Sequence, residues 1–402
     1  MKATPAAIVH ERIRSSIPTR ELERRWSALR KVMKTDGIDC LVLQNDNQFL
    51  GGYCRYLTDI PTEQAYPWTI VFPRDEKMTI IIHGAAAPAP PGPFDWATRG
   101  VKERINHPYL RTLHYTNTLD AAEVVKLIKR RKDKKVGLVG LGAMQAAFYK
   151  HLTENLQSVQ FVEATDQVDR IKAVKSEDEL VFVRKAIETQ DMVFAAVPTI
   201  IRPGKFEYQV RSEITRVLTD LGSEEQLVMM SSAPAGKPAA NIHSFYQNRQ
   251  IQWGDQVIIM IEPNGPGGFY GEIGRTWCLG DAPKELLKLW DIAVEGQKLI
   301  AGLTKPGVRP GDLFNTLNKF LASKGLPPEQ RLFAHGQGYD LVERPAFRVE
   351  EDLLLQANMV VAIHPTAASP KAFAWCCDNF LITEHGGVRL HKTPQEIFVI
   401  NC

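Results

Sequence analysis

The chain has 402 residues, of which 44% are hydrophobic and 24% are charged, the composition of an ordinary globular protein. This length exceeds what one hydrophobic core usually supports, so it predicts two domains. The formal net charge of +3 is too close to zero to indicate a nucleic-acid or other polyanionic partner. The basic run Lys129–Lys135 is short and is better explained as a solvated helix end or turn.

Neither secretion nor membrane insertion is expected. Met1–Glu11 has no apolar core followed by a cleavage site, which argues against a signal peptide. Apolar runs such as Val257–Ile261 are too short to span a bilayer. The six cysteines show no CxxC spacing and are typical of reduced thiols rather than of a disulfide framework. Together these features predict a soluble, cytoplasmic protein.

The first part of the chain alternates between helix-like and strand-like segments. Leu22, Trp26 and Leu29 recur at helical spacing, and the apolar run that follows Gly37 predicts a buried strand. The proline-rich stretch Ala87–Pro93 predicts a surface loop. The predicted elements are a helix at Glu21–Thr35, strands at Cys40–Leu43, Trp68–Phe72, Met78–Ile82 and Val136–Val139, and a helix at Ala143–Leu152. This alternation indicates an α/β domain over residues 1–165.

A capping box and a duplication organise the rest of the chain. Ser176 and Glu179 have the spacing of a capping box, which predicts a long helix that runs from there through Ala196. Residues 203–222 and 306–325 both begin with Pro-Gly, end in glycine and carry apolar residues at helical spacing. Each follows a long predicted helix and precedes strand-like sequence. We interpret the pair as an internal duplication in which helices back a shared sheet.

Several segments together resemble one enzyme family. They are Ile171–Leu180, Gly254-Asp255, Gly271–Thr276, His335–Gly338, Glu343–Pro345 and Met359–Pro365. As a set they resemble the creatinase/prolidase/methionine aminopeptidase family, whose members have the pita-bread fold, and the resemblance covers nearly the whole chain. It implies an α/β N-terminal domain at residues 1–165 and an α+β pita-bread C-terminal domain at residues 166–402 with an internal pseudo-two-fold repeat. It also implies a homodimer or a higher homo-oligomer.

The resemblance further implies a metal site, with altered ligands. Most family members hold two divalent metals with two Asp, one His and two Glu, which activate a shared water. The first Asp position falls on Met260, a poor ligand for a hard ion, but Glu262 lies two residues on and shares the same face of a strand. Glu272 takes the second Asp position, and His335 takes the His position.

The two glutamate positions of the family are also changed. His364 takes the first of them, and Cys377 takes the second, followed by Asp378 at a position that is commonly acidic. Strand alternation disfavours an inward direction for both Cys377 and Asp378. The adjacent Cys376 and Cys377 are either a reactive thiol site or, as is more usual for neighbouring cysteines on a strand, packed and inert.

Two histidines and one carboxylate remain as the expected ligands, namely Glu272, His335 and His364. Glu262, or Cys377 and Asp378, could add a fourth donor. This set suits one divalent transition metal per subunit better than a carboxylate-bridged pair, with Mn expected first and Fe, Co, Ni or Zn as alternatives. The other open interpretation is that no metal binds, as in creatinase.

Four residues are candidates for contact with substrate. His243 matches a histidine that family members place on the substrate, where it would carry protons; a plain surface-loop histidine is the alternative. The second substrate histidine of the peptidases falls on about Val342, which weakens a peptidase assignment. Arg275, Glu343 and Arg344 are predicted to bind substrate, and structural salt bridges would explain them equally well.

The sequence therefore predicts a metal-dependent hydrolase that cleaves a C–N bond of a small carboxylate-bearing substrate, as an aminohydrolase or amidohydrolase. The alternatives are an Xaa-Pro dipeptidase or aminopeptidase, a lyase on the same fold, and an inactive binding or scaffold protein. The joint presence of His243, Glu272 and His335 argues against the last of these. Fold alone does not choose among the others.

Overall fold

The computed structural model describes residues 15–45, 49–50, 52–61, 66, 68–84, 98–243, 245 and 247–401. The predictions for Met1–Glu11 and for Ala87–Pro93 lie outside these residues. The chain divides into two compact units, one at Ser16–Lys172 and the other at Ala173–Cys402, with which Ser15 is grouped. Among the described residues, no helix combines the length and apolarity that crossing a bilayer requires.

The N-terminal unit is built around one mixed sheet. Its strands lie in the order β4-β3-β2-β1-β5-β6, with β1 antiparallel to β2 and parallel to β5. Buried residues of the central strands pack against two helices, α3 and α4. The elements are α1 (Thr19–Asp36), β1 (Cys40–Asn45), α2 (Tyr53–Thr58), β2 (Trp68–Pro73), β3 (Met78–His83), β4 (Val101–His107), α3 (Leu119–Arg131), β5 (Lys135–Val139), α4 (Ala146–Asn155), β6 (Gln160–Glu163) and α5 (Thr165–Ala173).

The elements predicted for this unit from apolar spacing are confirmed. The basic run at residues 129–135 is the end of α3 and the turn into β5, as expected. Strand β4 was not predicted, because it is an edge strand of half-buried and exposed residues, with Lys102, Glu103 and Arg104 in its middle. The units divide at the end of α5, within the segment Val168–Val174, where the sequence indicates a boundary after the domain at residues 1–165.

The C-terminal unit has two main sheets, β17-β9-β8-β7 and β11-β10-β12-β15-β16, and a hairpin of β13 and β14. Its helices are α6 (Glu177–Ile200), α7 (Glu207–Asp220), α8 (Lys284–Leu303) and α9 (Pro310–Ser323). Its strands are β7 (Val228–Pro234), β8 (Asp255–Ile261), β9 (Ile273–Leu279), β10 (Ala334–Gly336), β11 (Glu343–Ala346), β12 (Val360–Ile363), β13 (Thr366–Ser369), β14 (Ala372–Trp375), β15 (Asp378–Thr383), β16 (Gly386–Arg389) and β17 (Ile397–Ile400).

The predicted duplication is present in this unit. In the first half, helices α6 and α7 cover the antiparallel strands β7, β8 and β9. In the second half, helices α8 and α9 cover the antiparallel strands β10, β12 and β15. The capping box at the start of α6 is also confirmed, since Glu179 N donates to Ser176 Oγ at 3.2 Å and Ser176 N donates to Glu179 Oε2 at 2.8 Å.

The two sheets meet where β9 approaches the chain just before β15. Gly274 N donates to Cys377 O at 3.2 Å, and Cys377 N donates to Gly274 O at 3.4 Å. A Cβ atom on Gly274 would lie 2.8 Å from Met260 Sδ and 3.2 Å from Cys377 Cβ, so a larger residue at this crossing would require the Met260 side chain to move. Residues on either side of the crossing are thereby brought together from both halves of the duplication.

Candidate metal centre

Glu272, His335 and His364 converge beside this crossing. Glu272 immediately precedes β9, His335 lies on β10, and His364 immediately follows β12. One ligand atom from each lies within 4.8 Å of the others, and all three residues are buried. Glu272 Oε2 is 3.4 Å from His335 Nε2, and Glu272 Oε1 is 3.6 Å from His364 Nε2.

The imidazole of His364 is the strongest sign that this cluster binds something. Neither Nδ1 nor Nε2 has a hydrogen-bond partner among the described residues, although both atoms are buried. A buried polar group without a partner costs free energy of folding, on the order of 1–3 kcal/mol. A divalent metal would satisfy the ring through one nitrogen, and two imidazoles with one carboxylate are a donor set that transition metals accept. The three residues therefore fit a metal ion.

The electrostatics of the cluster keep its ligand atoms available. Burial alone would raise the pKa of Glu272, but His364 and His335 lower it to about 2, so the carboxylate is ionised. Burial lowers the pKa of His364 to about 4, which leaves a neutral imidazole. Burial lowers the pKa of His335, but Glu272 and the Gly336 carbonyl raise it more strongly, so the pKa lies above its usual value.

Two amide side chains that the sequence reasoning missed hold Glu272 in place. Gln337 Nε2 donates to Glu272 Oε2 at 3.1 Å, and Asn379 Nδ2 donates to Gln337 Oε1 at 2.5 Å. Asn379 Oδ1 in turn accepts from Glu272 N at 2.6 Å. Gln337 lies inside the His335–Gly338 motif, which was the one available signal. Asn379 carried no such signal, because the partners of its side chain are more than forty residues away.

A buried histidine supports this amide pair from behind. Asn379 N donates to His391 Nδ1 at 3.2 Å, so Nε2 carries the ring proton and donates to Gln190 Oε1 at 2.8 Å. Burial lowers the pKa of His391 to about 4, which agrees with this neutral tautomer. His391 was also missed from the sequence. It connects the centre to helix α6 through Gln190.

Cys377 and Asp378 point in opposite directions, as strand alternation requires. Cys377 Sγ donates to Glu272 Oε1 at 3.2 Å, so the thiol adjoins the cluster. Asp378 instead pairs with Arg275, with 2.7 Å between Oδ1 and Nη2. Burial raises the pKa of the Cys377 thiol well above its usual value, and Glu272 adds to this effect.

Glu262 is buried near Glu272 but outside the three-residue cluster. Burial, together with the charge of Glu272, raises the pKa of Glu262 well above its usual range. The two carboxyl groups are therefore not both ionised. Met260 lies in an apolar cluster with Cys377 and Trp375. Two of the changed family positions, Met260 and Cys377, are therefore neighbours in space.

Arg275 is placed as a structural residue, which disfavours the predicted role in substrate binding. The side chain is fully buried. Nε donates to Pro394 O, Nη1 donates to Gly274 O and Cys377 O, and Nη2 donates to Asp378 Oδ1 and Thr393 O. All five guanidinium hydrogens are used within the protein. None is left for a substrate carboxylate.

Glu343 and Arg344 are also engaged within the protein. Lys175 Nζ lies 2.9 Å from Glu343 Oε2, and both side chains of this pair are buried. Arg344 Nε donates to Glu351 Oε1 at 3.1 Å, and its Nη2 pairs with Glu351 and Asp352. These contacts match the salt-bridge alternative better than substrate binding.

His243 lies on the chain between β7 and β8 and is exposed. Its ring is stacked on that of Phe245, with 5.6 Å between the centroids. The preceding residue, Ile242, packs against the apolar cluster that contains Met260, Trp375 and Cys377. Within the described residues, the structure thus brings the neighbour of His243 toward the centre but shows no contact between His243 and the three candidate ligands.

Comparison with known proteins identifies the family. The model of metallopeptidase family M24 matches residues 182–393. The probable dipeptidase PepE of Mycobacterium tuberculosis is 29% identical over 57% of this chain, and the match spans 61% of the relative's own length. A creatinase from a Bacillus species is 22% identical over 96% of this chain and 93% of its own.

The fold agrees with solved structures of the same family. The structure of an Xaa-Pro dipeptidase from Bacillus anthracis superposes with a TM-score of 0.76, covers 94% of this chain and 99% of its own, and is 19% identical. The N-terminal α/β unit and the C-terminal unit with its duplicated halves are the two parts of the pita-bread fold, as the sequence predicted. On the matched residues and on this architecture, the chain belongs to metallopeptidase family M24.

Proposed function

We propose that this protein is a hydrolase that cleaves a C–N bond of a small carboxylate-bearing substrate and uses one divalent transition metal. The observation that carries the proposal is the buried cluster of Glu272, His335 and His364, in which neither ring nitrogen of His364 has a hydrogen-bond partner among the described residues. Manganese is the first expectation, and Fe, Co, Ni and Zn also accept this donor set.

The surroundings of the cluster support one metal rather than two. Two closely spaced dications need bridging carboxylates to offset their repulsion. The positions that would supply two of those carboxylates hold Met260 and Cys377, which pack together in an apolar cluster. Glu262 is near, but its raised pKa favours a protonated carboxyl over a bridging carboxylate in the absence of a cation.

When bound, the metal would supply Lewis-acid polarisation of the substrate and an acidified water. The chain's own residues supply position and charge. Gln337 and Asn379 fix the carboxylate of Glu272, and burial keeps bulk water from the ligand atoms. We assign proton transfer to His243, which is exposed and follows a residue that packs against the cluster of Trp375 and Cys377.

An Xaa-Pro dipeptidase is the second candidate. The names of the relatives favour it, since PepE is called a probable dipeptidase and the Bacillus anthracis structure an Xaa-Pro dipeptidase. These names give no support to the preference for a non-peptidase that the sequence suggested. The candidate ligand set argues the other way, because His364 and Cys377 stand where the resemblance to the family implies glutamates.

A substrate panel separates the two candidates. Protein loaded with Mn²⁺, and separately with Fe²⁺, Co²⁺ and Zn²⁺, is assayed for release of amine or ammonia from N-acyl amino acids, from amino-substituted carboxylic acids and from Xaa-Pro dipeptides such as Ala-Pro. We expect turnover of the first two groups and loss of that turnover in Glu272→Gln. Turnover confined to Xaa-Pro dipeptides would favour the dipeptidase, and absence of turnover on all three groups with every metal would refute the proposal.

We also propose a cytoplasmic location and a homo-oligomeric state. The five described cysteines are free and buried, which suits a reducing compartment. The formal net charge of +3 gives no reason to expect a nucleic-acid partner. Light scattering on the purified protein tests the oligomer, and a mass equal to one chain would refute it.

A further inference from the structure

The substrate carboxylate in the proposed function needs a cationic partner, and the arginines predicted from the sequence are engaged. Arg275 uses all its hydrogens within the protein, and Arg344 pairs with Glu351 and Asp352. Arg331 is different. Its Nε and Nη2 hold Glu329, at 3.1 Å and 2.6 Å, while its Nη1 makes no hydrogen bond to any described residue. The side chain is 44% exposed.

Arg331 lies beside the candidate metal ligand His364. Its Nη2 donates to Thr366 Oγ1 at 3.1 Å and lies 3.5 Å from His364 O. Thr366 is opposite Trp375 in the β13–β14 hairpin. The Arg331 Cζ atom lies 5.7 Å from the centroid of the Trp375 ring, and the ring centroids of Trp375 and His364 are 6.2 Å apart. The guanidinium, the indole and the candidate ligand therefore lie next to one another, with Arg331 at the exposed end.

The indole of Trp375 adds a buried, unused donor to this group of side chains. Trp375 is only 6% exposed, and its Nε1 has no hydrogen-bond partner among the described residues. An indole N–H that is buried normally finds an acceptor, because leaving it unpaired costs free energy. Phe373 lies on the same face of β14, with 6.3 Å between its ring centroid and that of Trp375. An apolar wall thus adjoins the donors.

We propose that Arg331 and Trp375 form the subsite that binds the substrate carboxylate, next to the metal-ligating His364. The planar guanidinium presents its free Nη1 hydrogens, and the indole N–H presents a second donor, so that a planar anion is bound in preference to a neutral amide. The part of the substrate next to the carboxylate lies against Phe373 and Trp375, which favours an apolar or aromatic group there. This inference rests on the proposed function and specifies its substrate class.

The test compares two ligands that differ in charge and hardly in shape. N-benzoylglycine carries a carboxylate, an amide C–N bond and an aromatic group, and N-benzoylglycinamide replaces the carboxylate by a neutral amide. Binding of both to the metal-containing protein is measured by isothermal titration calorimetry. The variants are Arg331→Gln, Trp375→Phe and, as a matched control, Lys324→Gln, which removes another cation that lies over an aromatic ring and pairs with a glutamate.

We expect the wild-type protein to prefer the carboxylate by roughly 10- to 100-fold, the usual effect of a charge-assisted pair. Arg331→Gln should abolish that preference, Trp375→Phe should reduce it, and Lys324→Gln should retain it. Equal binding of the two ligands, no binding of N-benzoylglycine below about 10 mM, or an unchanged preference in Arg331→Gln would overturn the subsite. Metal content and hydrolysis are measured on the same samples. A wild type that lacks metal or turnover contradicts the proposed function. A wild type that has both but does not prefer the carboxylate contradicts the subsite alone.

Discussion

Replacing Asp378 by Asn tests whether Arg275 is a structural residue. Both side chains are fully buried, and Asp378 Oδ1 lies 2.7 Å from Arg275 Nη2 and 3.3 Å from Arg389 Nη1. Asn has nearly the same shape as Asp, so the substitution removes the charge and leaves packing almost unchanged. What remains is the buried guanidinium of Arg275 without its carboxylate.

The expected destabilisation is about 3–5 kcal/mol, the usual cost of removing one partner from a buried ion pair. At 2–4 °C per kcal/mol for a unit of this size, the thermal midpoint of the unit should fall by about 6–20 °C. The effect should depend on pH. Burial by itself would raise the pKa of Asp378, but Arg275 holds it below its usual value, so the ionised form stabilises the fold above about pH 3.9 and this contribution is lost as pH falls through the lowered pKa.

The assay is differential scanning calorimetry near pH 7 and at successively lower pH. Asp220→Asn is the matched control, because Asp220 also pairs with an arginine, Arg216, but both of these side chains are exposed. The control should change stability by less than about 1 kcal/mol. A similarly small effect of Asp378→Asn would refute the structural assignment, and the role of Arg275 in substrate binding would be open again.

Three further predictions follow from the surroundings of the centre. Asn379→Ala should weaken metal affinity by about 10- to 100-fold, because it removes a support of the Glu272 ligand. Competition with a chelator measures the affinity, and an unchanged affinity would contradict this role of Asn379. Cys376 and Cys377 should not react with a thiol reagent in the native protein near neutral pH, since both are fully buried and burial raises the pKa of Cys376 to about 12. Peptide mass analysis locates any label, and rapid labelling of either cysteine would contradict this burial. Gly336→Ala should destabilise the fold by more than about 2 kcal/mol, because its Cβ atom would lie 2.3 Å from the backbone carbonyl oxygen of Arg344. The control Gly302→Ala in α8 should be neutral or stabilising, since nothing lies within 4 Å of its Cβ. Equal thermal midpoints for the two variants would contradict the close packing at Gly336.

Local signals made much of the fold predictable. The capping box at Ser176 and Glu179 fixes the start of α6 through two contacts between residues three apart. Such a local pattern can be recognised directly in the sequence. The Pro-Gly pairs of residues 203–222 and 306–325 showed the duplication, because each starts a helix that must bury one apolar face. Strand β4 lacked such a signal, since an edge strand needs no continuous apolar run.

The candidate site was predictable as far as the resemblance to the family indicated positions for its residues. That resemblance implied Glu272, His335 and His364 as ligands, and the structure brings these three side chains together. Alternation along the strand separated Cys377 from Asp378. The role of Arg275 was not predictable, because its partners lie about a hundred residues further along the chain. The same holds for Asn379, because its role depends on the hydrogen bond between its amide and Glu272. Long-range hydrogen bonds decide such roles, and a single sequence does not encode them in any local pattern.

Metal content is the direct test of a single site formed by Glu272, His335 and His364. Protein purified without chelator is analysed by plasma mass spectrometry, together with the double variant His335→Ala/His364→Ala and a control in which two exposed histidines are replaced, His114→Ala/His385→Ala. We predict about one transition-metal ion per chain in the wild type and in the control, and none in the double variant, because the three ligands form a single site. No ion in the wild type after incubation with Mn, Fe, Co or Zn, or an equal content in the double variant, would contradict metal binding by these three residues.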